Sequence, residues 1–286
     1  MNTRKHHRYL TPLEKSSLCA AILALKNDVD SVLHPGQQKR YDDFVEIHKN
    51  AMTGPGMFEP MPHGTSLFYP WHRVLIRQFE LALQTAAGDL SIAVPYWDWE
   101  YSGTSNPFTD DFLGGDGDAA QGYRVTSGPF AFDKGKFEIR VWDDTDGDKG
   151  LRREFGDDSN SWLPSASDVS AGLAKTPYWP GPSCFERVSE GVLHNPVHRW
   201  IGGNMADATS PNDPVFFLHH AYLDFLWERW KLQHPTIDPY LPTSSVPGKD
   251  LDSVMVFNAP TEPRPWPGSW TVRQVVDPTL LGYVYG

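Results

Sequence analysis

The chain has 286 residues and a formal net charge of −11 with a pI near 5.4, so it offers no electrostatic footprint for nucleic acid or an anionic membrane. Hydrophobic residues make up 40%, with 11 Trp, 15 Phe and 11 Tyr, enough for a sizeable core and too much for a disordered chain. No apolar run approaches the roughly 18 residues of a membrane span, and the basic start MNTRKHHRYL has no apolar stretch behind it, so a cytoplasmic location is expected for the chain as written.

The first predicted element is a helix in TPLEKSSLCAAILALKN. Thr11 can cap it, Pro12 fits the first helical position, and Glu14 completes a capping box. Leu18, Ala21, Ile22 and Leu25 then recur on one buried face. The stretch NDVDSVLHPGQQKR reads as a surface loop, after which YDDFVEIHKNAM resumes helical spacing through Phe44, Ile47 and His48. A loop rich in Gly, Pro and Met leads to a long helix in YPWHRVLIRQFELALQTA, with Pro70 near its start, His72 in its first turn, and Leu75, Phe79 and Leu83 on one side.

Residues 102–185 are dense in Gly, Pro, Asp and Ser and predict long excursions over a scaffold rather than core elements. The last strong helices are predicted in NPVHRWI and in NDPVFFLHHAYLDFLWERWKLQH, the latter with Asp213 as cap and Pro214 at the first helical position. Beyond Pro235 the chain is Pro-rich and irregular up to LGYVYG. Trp71, Trp97, Trp99, Trp200, Trp227 and Trp230 read as core, and Cys19 and Cys184 as free thiols. The expectation is a mainly α fold, one domain over 1–286 with long irregular loops.

Of eleven histidines, His6, His7, His34 and His234 read as solvated. The others form a front group, His48, His63 and His72, and a back group, His194, His198, His219 and His220. His194 and His198 are four apart, so on a helix they share a face. His219 and His220 open an apolar helix, where an unpartnered ring is costly to bury. Adjacent helical residues point about 100° apart, so at most one of these two reaches the same point. Three imidazoles suit zinc, copper, nickel or iron. A zinc protease of the H-E-x-x-H type needs a glutamate after the first histidine, and Asn195 stands there instead. Two sets of three make a binuclear site the economical reading, and neutral nitrogen without thiolate or carboxylate favours copper.

The motifs PWHRVLIRQFE, PYWDWE, LHNPVHRWIGGNM, SPNDPVFFLHH and the closing GYVYG resemble the tyrosinases, type 3 copper proteins, in order along nearly the whole chain. The resemblance implies a four-helix bundle holding two copper ions, with His48, His63 and His72 on copper A and His194, His198 and His220 on copper B. His219 is then a neighbour of the site. It further implies oxidation of phenols or o-diphenols to o-quinones with dioxygen as co-substrate. Glu186, eight residues before His194, matches an acid that holds a water with Asn195 in monophenol-active members. Glu190 competes for that role if the loop is shifted. A phenol has a pKa near 10, so such a water would serve as base.

Arg199 is expected to steer an acidic substrate or to be a surface charge. Thr209 matches the pocket mouth, and Asp224, one turn after His220, is expected to orient a ligand or to form a salt bridge. Met61 stands where some relatives carry a cysteine for a thioether, which excludes that crosslink. No C-terminal shielding domain is expected after Gly286. The resemblance also brings in a small copper-loading helper protein, and export with it, as expected partners beside a phenolic, catecholic or aminophenolic substrate. Alternatives are an o-aminophenol oxidase forming quinone imines, a zinc hydrolase, and an oxygen carrier.

Overall fold

The computed structural model describes residues 1–53, 61–101, 103, 106–142, 149–159, 161–240, 248–258 and 263–286. Much of the predicted Gly, Pro and Met loop, at 54–60, and parts of the Pro-rich stretch, at 241–247 and 259–262, lie outside the described residues.

Helix α1, Pro12–Asn27, starts as its sequence dictates, with Thr11 and Glu14 closing a reciprocal capping box. Its apolar face lies on α3, Phe68–Ala87, and on α2, Arg40–Thr53. Gly88 stops α3 in a left-handed turn at φ 62°, a conformation that glycine adopts without a Cβ clash. Short helices α4 (Phe132–Gly135), α5 (Ala166–Leu173) and α6 (Phe185–Val188) follow. A π-helical turn, Ser189–His194, joins α6 to α7, Asn195–Ile201. Helix α8, Val215–Gln233, is buried on nearly every side, as expected of an element at the centre of a domain. It packs against α3, where the Phe79 and Phe217 rings stack. Helix α9, Val272–Val275, closes the helical part. Helices α2, α3, α7 and α8 carry His48, His72, His198, His219 and His220 and form the predicted bundle.

Strands are minor. β1, Asn2–Arg4, pairs in parallel with β4, Tyr283–Tyr285, and β2, Gly117–Asp118, pairs antiparallel with β3, Arg124–Val125. The β1–β4 seam rests on a buried charge cluster. Asp224 of α8 accepts hydrogen bonds from Arg73 Nε and Tyr283 Oη, both at 2.6 Å, and from the Tyr285 hydroxyl. Arg73 also reaches Glu228 and the Val275 and Val276 carbonyls, and Arg4 pairs with Glu80. These groups are buried and paired, as burial of charge requires, with Arg4 Nη2 left without a hydrogen-bond partner among the described residues.

Several expectations need correcting. The segment 102–185 is not confined to the surface, because Phe112, Leu113, Val125, Phe130, Phe137, Ile139 and Leu151 enter the core. A long loop can contribute core when its apolar residues point inward while its carbonyls find donors, as those of residues 113–115 do on Arg153. His6 and His7 are buried rather than solvated. His6 pairs with Asp98, and burial pushes His7 down to about 4. His34 bonds Glu46 and His234 bonds the Leu173 carbonyl, both half-buried. Trp200 is half-buried, stacked on Phe155. Helix α8 begins at Val215, one residue later than predicted, with Asp213 Oδ1 accepting from Val215 N at 3.1 Å. His72 falls just past the first turn of α3, which begins at Phe68.

Candidate metal centre

His48 stands on α2, His72 on α3, His198 on α7 and His220 on α8, while His63 lies in the segment before α3 and His194 ends the π-helical turn. One nitrogen each of His48, His63 and His72 lie within 4.8 Å of one another, and so do those of His194, His198, His219 and His220. The two groups face each other. The His72 and His220 rings stack at 4.3 Å between centroids, and His63 and His194 are 6.1 Å apart.

Hydrogen bonds set the state of these rings. His48 Nδ1 donates to the Ala208 carbonyl at 2.8 Å, His72 Nδ1 to that of Phe68 at 2.7 Å, His198 Nδ1 to that of Met205 at 2.8 Å, and His194 Nδ1 to Asn195 Oδ1 at 2.8 Å. A proton held on Nδ1 leaves the Nε2 lone pair free, the usual arrangement of a ligating histidine. Nε2 of His48, His72 and His194 and both nitrogens of His63 are buried with no hydrogen-bond partner among the described residues. His198 Nε2 and His220 Nε2 lie 3.4 Å apart. Burial pushes His48 down to about 3 and His198 to about 4, and pulls the other four well below the usual histidine range. At neutral pH the lone pairs are therefore not blocked by protons. Several unsatisfied, neutral imidazoles around one point cost stability unless something binds them, and two such groups with no thiolate or carboxylate fit two copper ions.

His219 differs. The Trp99 indole N–H donates to His219 Nδ1 at 2.9 Å, a contact missed by reading Trp99 as core alone. The hint available was that a buried Trp N–H usually finds a partner.

A cleft of about 280 Å³ opens on His48, His63, His194 and His198. Asn195, Arg199, Met52, Met205, Ala206 and Asp207 complete its wall. Thr209, expected at the mouth, is buried and does not line it. Instead its N–H and hydroxyl donate to Asp207 Oδ1 at 2.6 and 2.5 Å, so Asp207 takes the rim. Asp224 bonds Arg73 and the two tyrosines rather than a histidine. Glu186 is fully buried beside Glu190, and its oxygens meet no hydrogen-bond donor among the described residues. Burial, then the Glu190 charge, pushes it up to about 9. Glu190 accepts from Gly64 N at 2.8 Å and 3.0 Å, which ties it to the residue after His63.

A family model, the common central domain of tyrosinase, matches residues 38–233. The chain belongs to the tyrosinase family. A tyrosinase from Streptomyces antibioticus is 40% identical over 279 residues, 93% of each chain. Grixazone synthase from Streptomyces griseus is 30% identical over 303 residues, 92% of this chain and 93% of that one. Among solved structures, a polyphenol oxidase (mutant G292N) from Thermothelomyces thermophila superposes with TM-score 0.74 at 24% identity, covering all of this chain and 88% of that one. A functional unit of octopus hemocyanin gives 0.63 at 21% identity, over 100% and 68%. This tyrosinase-family chain is a dicopper oxidoreductase of phenols, with dioxygen as co-substrate. No helix among the described residues is long and apolar enough to cross a membrane.

Proposed function

We propose that His48, His63 and His72 hold copper A, that His194, His198 and His220 hold copper B, and that the protein oxidises both monophenols and o-diphenols to o-quinones. The observation that carries this is the facing pair of histidine groups with buried and unpartnered nitrogens. Bound copper supplies the electron chemistry with dioxygen. The chain's own residues bind and orient the ring and move its proton.

A monophenol must lose a proton near pKa 10 before it can bind a metal well. Asn195 lines the cleft and is held by His194. With Glu186 pushed up to about 9, that acid keeps its proton at neutral pH. Burial raises Glu190 as well, so the water-holding role with Asn195 rests on the Glu186–Glu190 pair as a unit, tied to Gly64 N. Arg199, at the cleft wall, steers an acidic substituent of the ring. A copper-loading helper protein is the partner reading that fits ligands this deeply buried.

The test is metal content of the purified protein followed by oxygen uptake with tyrosine, a catechol and an o-aminophenol. Two coppers per chain and uptake on all three support the reading. Uptake on the last two alone favours the aminophenol or catechol alternative, and zinc without uptake overturns the assignment. Loading by copper salt at the same rate with and without a co-expressed helper would remove that partner.

A further inference from the structure

Proximity gives the back group four histidines, yet an open catalytic site keeps three protein ligands and a free position. We infer that the Trp99–His219 hydrogen bond is a tautomer lock that withholds His219 from copper B and so keeps that position open. The inference rests on the dicopper reading above.

An indole nitrogen can only donate. Because Trp99 Nε1 points its N–H at His219 Nδ1, 2.9 Å away, Nδ1 must accept, and in the neutral ring the proton then sits on Nε2. Neither nitrogen has a lone pair to offer: Nδ1 is engaged by Trp99 and Nε2 is protonated. The contrast with His48, His72, His194 and His198 is complete, since each of those donates from Nδ1 to an oxygen. His219 is otherwise well placed to ligate. Its ring stacks on His194 at 5.3 Å and meets His198 at 5.0 Å and His220 at 5.1 Å. It is fully buried, and its Nε2 has no partner among the described residues. Nothing in distance excludes a fourth imidazole, and what excludes it is the direction of one hydrogen bond. Trp99 is thus a positioning residue that acts through His219.

The first test needs no variant. In the diamagnetic, cuprous-loaded protein labelled with nitrogen-15 in histidine, His219 should show a protonated Nε2 and an unprotonated Nδ1, the reverse of the ligands. A metal-shifted Nε2 on His219 overturns the inference. The second test uses Trp99→Phe, which keeps an aromatic ring and removes the N–H. Freed to take the other tautomer, His219 should close copper B. Copper stays at two per chain, its loss to a chelator slows, and azide, an anion that needs the open position, binds about tenfold more weakly. The double variant Trp99→Phe/His219→Phe should recover azide affinity, and His219→Phe alone should keep two coppers. Unchanged azide binding in folded Trp99→Phe, or loss of one copper in His219→Phe, sinks the lock. Failure of the unaltered protein to take up two coppers would instead sink the dicopper reading.

Discussion

Helices α3 and α8 each serve two buried polar clusters. His72 and Arg73 are neighbours on α3, and His220 and Asp224 lie one turn apart on α8. On one side the Asp224 carboxylate is saturated by Arg73, Tyr283 and Tyr285. On the other, histidine nitrogens are buried and left open. The difference separates scaffold from function: a buried polar group with all its partners holds the fold, and a set without them awaits something from outside.

Breaking the open cluster should destroy chemistry first. His198→Ala is expected to bring oxygen uptake to background and copper to one per chain, while the unfolding midpoint of the metal-free protein moves much less than in Asp224→Ala. Retained activity would remove His198 from the ligands. Breaking the saturated cluster should do the converse. Asp224→Ala strips buried Arg73 of one of its two carboxylate partners and the Tyr283 and Tyr285 hydroxyls of their acceptor, and should cost about 3–5 kcal/mol in denaturant unfolding, with the folded fraction still binding two coppers. A loss of copper without a loss of stability would merge the two clusters into one.

The acid pair lies between these extremes and sharpens the contrast through pH. Glu186 is raised from its ordinary 4.5 to about 9, so the folded state binds more protons than the unfolded one across that window. Its contribution is present below 4.5 and is lost as pH rises toward 9. Glu186→Gln should flatten that decline in the metal-free protein and raise its stability at pH above neutral. The same variant should slow monophenols more than o-diphenols, and equal slowing of both would take the pair out of proton transfer. The smallest effect is expected at the cleft wall. Arg199→Gln should raise KM severalfold for phenols bearing a carboxylate, leave KM for uncharged catechols alone, and not move the unfolding midpoint.

Helical periodicity made the back of the site readable in advance. His194 and His198 meet because of a four-residue spacing, and α8 announced itself by its apolar run and its Asp-Pro start. The front was harder, since His63 stands on a loop and no spacing rule says where a loop residue points. Its placement depends on contacts remote in sequence, such as Gly64 on Glu190, 126 residues away. The burial of His6 and His7 was hidden for a similar reason, because short polar segments near a terminus look solvated until their long-range partners are known. The Trp99 contact shows a third limit: a residue identified as core can still aim its one polar atom at the site.

The seam between β1 and β4 sets an order of assembly. Residues 2–4 pair with residues 283–285, so their pairing carries the closure entropy of a very long loop. Until the seam closes, Arg4 lacks its tyrosine partners and Asp224 is only partly satisfied. The latch thus completes the saturated cluster and leaves the two histidine groups, which stand on other elements, untouched.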